Sequence, residues 1–185
     1  DLTNVEEIGE GAFMGNTSLS TVIFSDNMDK IGNALFSNCT KLVNVVLNDK
    51  TTIIDDYAFF NSGVKEINLE KVIEIGAYAF YNTKLDEITL ADNVKIGDYA
   101  FYYDNELTKV NNDKGIDKVG KYAFSLTSIT DFDLENASII DDFAFAQSKL
   151  TKVKFGSKLT NLGENPFYGC DIKTFGKIIE KTFGG

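Results

Sequence analysis

Apolar residues recur along the chain in two short patterns that alternate from one end to the other. The first is six residues long and closes on Phe: IGEGAF (8–13), IGNALF (31–36), IDDYAF (54–59), IGAYAF (75–80), IGDYAF (96–101), VGKYAF (119–124), IDDFAF (140–145) and LGENPF (162–167). Successive closing phenylalanines are 23, 23, 21, 21, 23, 21 and 22 residues apart. The second begins five or six residues later: LSTVIF (19–24), LVNVVL (42–47), VKEINL (64–69), LDEITL (85–90), LTKVNN (107–112), ITDFDL (129–134), LTKVKF (150–155) and IKTFGK (172–177). Its fourth and sixth places are mostly apolar and two residues apart, the period of a strand with one buried face. Enrichment in Val, Ile, Leu and Phe agrees with a strand.

A unit of 21–23 residues is too short for a helical hairpin but fits one strand, a return segment and two turns. One unit cannot bury its apolar face alone, whereas stacked neighbours can. The pattern therefore predicts a mainly β solenoid of eight units, with equivalent strands stacked as a parallel sheet. Each coil should advance ~4.8 Å, giving a rod of roughly 35–40 Å. In this reading the residue opening each IGxxAF unit and its closing Phe point inward, and the Ala before the Phe allows close backbone approach. The second place is Gly in six copies and Asp in two, Asp55 and Asp141, which predicts a left-handed backbone there.

The two patterns resemble a known family. The spacing and the strand motif are similar to leucine-rich repeats, and IGxxAF is similar to their BspA-like, Treponema-type branch over the whole chain. That resemblance implies a right-handed coil and a surface-exposed or secreted bacterial protein that adheres to host or matrix partners. The Asn ladder that ordinary leucine-rich repeats carry after the strand is missing, and so is the Pro that the family often has just past it, since the only Pro is Pro166. A single domain over 1–185 is expected, a piece of a longer surface protein, with the array ending near Lys177 and 178–185 forming a cap or tail.

Composition narrows the function classes. Of 185 residues none is His and two are Cys. Without His there is no His-based triad and no HExxH zinc site. No GxxxxGK[ST] phosphate loop or GxGxxG element occurs outside what the repeat explains. Cys39 and Cys170 sit at equivalent places, three residues after a closing Phe and six coils apart, so roughly 29 Å separates them at the sheet spacing. That is far beyond disulfide reach, and two free thiols are expected. A net charge of -10 argues against nucleic-acid and anionic-lipid partners, and no apolar run is long enough to span a bilayer. No enzyme activity, cofactor or metal is expected. The pairs Asp55–Asp56 and Asp141–Asp142 would be the only basis for a glycoside-type hydrolase, and their recurrence at one place in the repeat fits a solvated turn better.

Binding surfaces remain. Third and fifth strand places should face solvent, which marks Glu66, Asn68, Glu87, Thr89, Lys109, Asn111, Asp131, Asp133, Lys152 and Lys154 as candidate contacts for a protein or glycan. Glu87, Lys109, Asp131 and Lys152 alternate in sign and should set opposite charges side by side. Ile23 and Val46 are apolar at outward places, either a contact patch or a surface covered by an N-terminal cap. On another flank Tyr57, Tyr78, Tyr99, Tyr122 and Phe143, with Phe60, Tyr81, Tyr102 and Tyr168 beside them, form either a stacked ladder or a sugar- or peptide-gripping row. The expectation is a monomeric binding module; a rigid spacer or stalk is the alternative.

Overall fold

The computed structural model describes residues 5, 7–112 and 115–175. Among them the chain forms a β-solenoid of parallel strands with no α-helix. Each coil contributes two short strands. One comes from the second pattern: β1 (Thr21–Ile23), β3 (Asn44–Val46), β5 (Glu66–Ile67), β7 (Glu87–Thr89), β9 (Lys109–Asn111), β11 (Asp131–Leu134), β13 (Lys152–Phe155) and β15 (Thr174–Phe175). The other leads into IGxxAF: β2 (Lys30–Ile31), β4 (Ile53–Ile54), β6 (Glu74–Ile75), β8 (Val94–Ile96), β10 (Ile116–Val119), β12 (Ile139–Ile140) and β14 (Asn161–Leu162).

The even-numbered strands form one continuous seven-stranded sheet. This corrects the count of eight units: the molecule makes about seven turns, because eight closing phenylalanines bound seven intervals. The odd-numbered strands, expected to make the principal sheet, instead fall into three pieces, β1-β3-β5, β7-β9 and β11-β13-β15. At the first break only an isolated bridge, Leu69 with Leu90, joins the coils. On the other edge of β5, toward β3, the Asn68 side chain extends the pairing, accepting from Leu47 N–H at 2.8 Å and donating to Leu47 C=O at 3.2 Å. At the second break Asn112 Nδ2 donates to Asp133 C=O at 2.7 Å. In both places a side-chain amide makes the contact that a ladder bond would otherwise make.

The core is built around the closing phenylalanines. From Phe13 to Phe167 each ring stacks on the next, with centroids 5.1–5.6 Å apart and planes within 17° of parallel. The six from Phe36 to Phe145 are fully buried. So are Ala58, Ala79, Ala100, Ala123 and Ala144 before them. Bonds between coils run through this segment, for example Phe59 N–H to Ala79 C=O and Phe101 N–H to Ala123 C=O, both 2.8 Å.

The left-handed residue of IGxxAF is the fourth, not the second. Tyr57, Tyr78, Tyr99, Tyr122 and Phe143 all have φ of 54–58°. A second left-handed site lies two residues after the closing Phe, at Asn38, Asn61, Asn82, Tyr103, Leu126 and Gln147. At Gly76, Gly97, Gly120 and Gly163 the second place answers to proximity instead, whereas a Cβ on Gly9 or Gly32 would meet nothing within 4 Å. A Cβ on Gly76 would lie 2.5 Å from Asp56 N, and one on Gly97 2.6 Å from Gly76 C.

Both cysteines are free, as the coil spacing requires. Each thiol donates to the closing-Phe carbonyl of the preceding coil, Cys39 to Phe13 at 3.0 Å and Cys170 to Phe145 at 3.1 Å. Burial pushes the Cys39 thiol up, which keeps it protonated and unreactive. The equivalent residue one coil after Thr83 is Asp104, fully buried. Its Oδ1 accepts from Thr83 N–H at 2.5 Å and Thr83 Oγ1 at 3.1 Å, while Oδ2 has no hydrogen-bond partner. Burial raises this carboxyl well above its ordinary value of 3.8, against the pull of the Thr83 bonds. Residues 178–185, expected to form a cap, lie outside the described residues, as does Lys177.

Two expected outcomes follow from this packing. Gly76→Ala should destabilise by about 1–3 kcal/mol, because its methyl group meets backbone, whereas Gln147→Gly should stabilise by up to about 1 kcal/mol by relieving a left-handed Cβ. Urea denaturation measures both, and the reverse order would contradict this account of the glycines. For Asp104, the folded state holds a proton that the unfolded chain releases near 3.8, so its contribution falls as pH rises from there. Asp104→Asn should gain stability relative to the native chain with rising pH and lose that gain in acid. A difference that is flat across pH would refute it.

Candidate functional site

The predicted outward residues lie on the odd-strand face. Parallel pairing puts Glu87 opposite Lys109 and Thr89 opposite Asn111, Asp131 opposite Lys152, and Asp133 opposite Lys154. Alternate residues such as Ile88, Phe132 and Val153 turn into the core. Glu66, Asn68, Glu87, Thr89, Lys109, Asp131, Asp133, Lys152 and Lys154 are exposed, and Asn111 is half-buried.

Several of these side chains are already engaged. Glu87 Oε1 accepts from both Lys109 Nζ and Asn111 Nδ2 at 2.8 Å. Those bonds, with Lys109 first, hold the Glu87 carboxyl below its ordinary 4.5. Asn111 also donates to Thr89 at 3.3 Å. Lys154 pairs with Glu135 and lies 3.9 Å from Asp133, and the Glu135 bond raises its ammonium pKa. Of the three charge pairs expected from alternation, only Glu87–Lys109 closes. Lys109 and Asp131 fall on opposite sides of the sheet break, and Asp131 instead accepts from Thr130 at 3.3 Å. Among the described residues Glu66 and Lys152 make no ion pair. Asn68 is tied to Leu47, which its sequence position does not reveal.

The remaining face near the first break is different in character. Ile23 is 72% exposed and Val46 40%, and the two are register partners. Beside them a cleft of about 380 Å³ is lined by Asn44, Val46, Ile67, Glu66, Glu70, Asp86 and Glu87 among others.

The aromatic flank is a ladder. Tyr57, Tyr78, Tyr99, Tyr122 and Phe143 stack at 4.8–5.0 Å, and Phe60, Tyr81 and Tyr102 make a second column at 4.8 and 5.3 Å. Ring faces are spent on one another, which leaves mostly edges to solvent. Neighbouring rings shield Tyr78, Tyr99 and Tyr102 from water and raise their phenol pKa values. Tyr168 meets Phe143 edge-on at 6.3 Å.

The carboxylate pairs are bound up in the framework. Asp56 Oδ1 accepts from Ala77 N–H at 2.7 Å and Asp142 Oδ1 from Glu164 N–H at 2.8 Å, the latter bond lowering the Asp142 carboxyl. Asp55 pairs with Lys30 at 3.3 Å and Asp141 with Lys118 at 3.1 Å. Among the described residues no three His, Cys, Asp or Glu side chains are grouped to hold a metal ion, and no helix is long and apolar enough to cross a membrane.

A model of the BspA type leucine rich repeat region, in six copies, matches residues 2–108 and 73–182. The chain belongs to the BspA-type leucine-rich repeat family. Leucine-rich repeats of this kind are generally non-enzymatic. A search of curated proteins found no match. Among solved structures, this BspA-type chain is similar to a leucine-rich repeat protein from Bacteroides ovatus ATCC 8483. Identity is 25% and the TM-score 0.67, over 91% of this chain and 51% of that one. It thus spans about half the length of that protein. Weaker likenesses are a leucine rich cell surface protein from Faecalibacterium prausnitzii A2-165 (20% identity, TM-score 0.42, 90% of this chain and 62% of that one) and the pneumococcal vaccine antigen PcpA (13%, 0.39, 85% and 56%).

Removing the Lys109 side chain should move the Glu87 carboxyl up toward 4.5, with a smaller rise for Asn111→Ala. A carbon-13 NMR pH titration reads both. An unmoved Glu87 titration in Lys109→Ala would show that the pair is not formed in solution.

Proposed function

We propose that this BspA-type domain is a non-enzymatic binding module of a cell-surface or secreted protein, engaging a protein or glycan through its odd-strand face. The observation that carries this reading is the face itself. Side chains of differing chemistry project outward from successive coils of a rigid stack, with nothing among the described residues covering them. Repeat solenoids characteristically bind through such extended surfaces. Surface location rests on family membership, whose members are characteristically exposed or secreted.

A spacer or stalk is the second reading. The downstream half of the face favours it, since Lys109 and Lys154 are neutralised within the chain. A solid-phase panel of matrix proteins and glycans separates the two. The binding reading expects retention by at least one member and at least a tenfold loss in a Glu66→Ala, Thr89→Ala, Asp131→Ala, Lys152→Ala variant of unchanged melting temperature. Silence across the panel, or binding that ignores the variant, would favour the stalk.

A further inference from the structure

Charge and apolar exposure are distributed unevenly over the odd-strand face. From β9 to β13 its lysines and carboxylates are matched in number: Lys109, Lys152 and Lys154 against Asp131, Asp133 and Glu135. The cleft beside β3, β5 and β7 has four carboxylates, Glu66, Glu70, Asp86 and Glu87, and a single lysine, Lys65. Lys65 is paired with Asp86 at 3.5 Å, and Glu87 is occupied by Lys109 and Asn111. Glu66 and Glu70 have no cationic partner among the described residues. They border the exposed Val46, whose register partner on β1 is the exposed Ile23, while Ile67 pairs with buried Val45 and packs against the core.

We propose that this cleft docks a cationic, partly apolar segment of a partner protein: lysines or arginines alternating with aliphatic residues. This rests on the binding reading and deepens it. An apolar strip in water is favourable to cover at about 25 cal/mol per Å², and the flanking free carboxylates select positive charge on whatever covers it. The carboxylates are spread along the cleft and do not converge as a metal site would, which suits several separate ammonium or guanidinium groups on one chain. The 380 Å³ depression is shallow and open to solvent, a shape along which an extended segment can lie.

The test is fluorescence anisotropy with a labelled heptapeptide of alternating Lys and Val. Comparison peptides replace every Val by Ser, or every Lys by Glu. The Lys–Val peptide is expected to bind, more weakly as salt rises, and at least tenfold more tightly than either comparison peptide. Glu66→Gln with Glu70→Gln, and separately Val46→Ser, should each weaken it at least tenfold, while Lys152→Ala should not. Equal binding of the Lys–Ser peptide would reduce the effect to diffuse attraction by a chain of net charge -10 and overturn the proposal, as would indifference to both cleft variants. If no basic peptide binds but the panel still retains a partner through the face, the cleft assignment falls and the binding reading stands. If the panel is silent too, both fall.

Discussion

Everything in this molecule depends on keeping one phenylalanine directly above the next. The rings are 5.1–5.6 Å apart, slightly more than the ~4.7–4.9 Å between hydrogen-bonded strands. Strand pairing and ring stacking therefore set nearly the same repeat, and each coil must copy the path of its neighbour. The small residues follow from that constraint. The Ala before the Phe is fully buried from Ala58 to Ala144, and Gly76, Gly97, Gly120 and Gly163 sit where backbones of adjacent coils nearly touch. The outer aromatic ladder follows as well. Its residues adopt a left-handed conformation that costs an L-residue roughly 1–2 kcal/mol. A ring stacked on both sides recovers a comparable amount, at ~0.5–1.5 kcal/mol per pair beyond its burial. Where the ladder ends, the site reverts to residues with less to stack: Gly11, Ala34 and Asn165.

Polar groups obey the same translation. A side chain on one coil satisfies a backbone group on the next: Asp56 on Ala77, Asp98 on Lys121, Asp142 on Glu164, and both thiols on the preceding Phe carbonyl. Asn61 reaches back to Asn38 at 3.5 Å and Asn82 to Asn61 at 2.9 Å, a short amide ladder at the second left-handed site. Asn is among the residues that tolerate that backbone best. The Asn ladder of ordinary leucine-rich repeats is absent after the strand, and this short ladder lies at a different place, just past the closing Phe. Asp104 follows the pattern with Oδ1, which accepts from Thr83 N–H, but leaves its buried Oδ2 without a partner.

Much of this could be read from the sequence because the register of the phenylalanines is fixed by spacing alone. The core, the outward places and the distance between the cysteines all follow from that register. Three features could not be read. The left-handed site was assigned to Gly and Asp from their conformational tolerance, yet aromatic stacking placed it under tyrosines. The odd-strand motif implies a continuous sheet, because it does not distinguish a strand that bonds through its backbone from one bridged by Asn112. The charge alternation predicted three pairs, but one spans a sheet break and another is diverted to Thr130. In each case the deciding contact is made by an individual side chain whose partner the repeat pattern does not specify.

The sheet breaks also explain why a regular scaffold carries an irregular face. Across the second break Lys109 and Asp131, which continuous pairing would place in opposition, do not pair, and across the first the register of the Leu69–Leu90 bridge sets Glu66 against Glu87, a like charge. Downstream, β11 and β13 remain fully paired over four residues, and Lys154 there pairs with Glu135 and lies near Asp133. At the first break the coils are joined by one bridge, and Glu66 stands without a cation beside an exposed Val46. A repeat array gains recognition where its repetition fails: identical coils give rigidity, and the departure from identity gives the surface a place that differs from the rest.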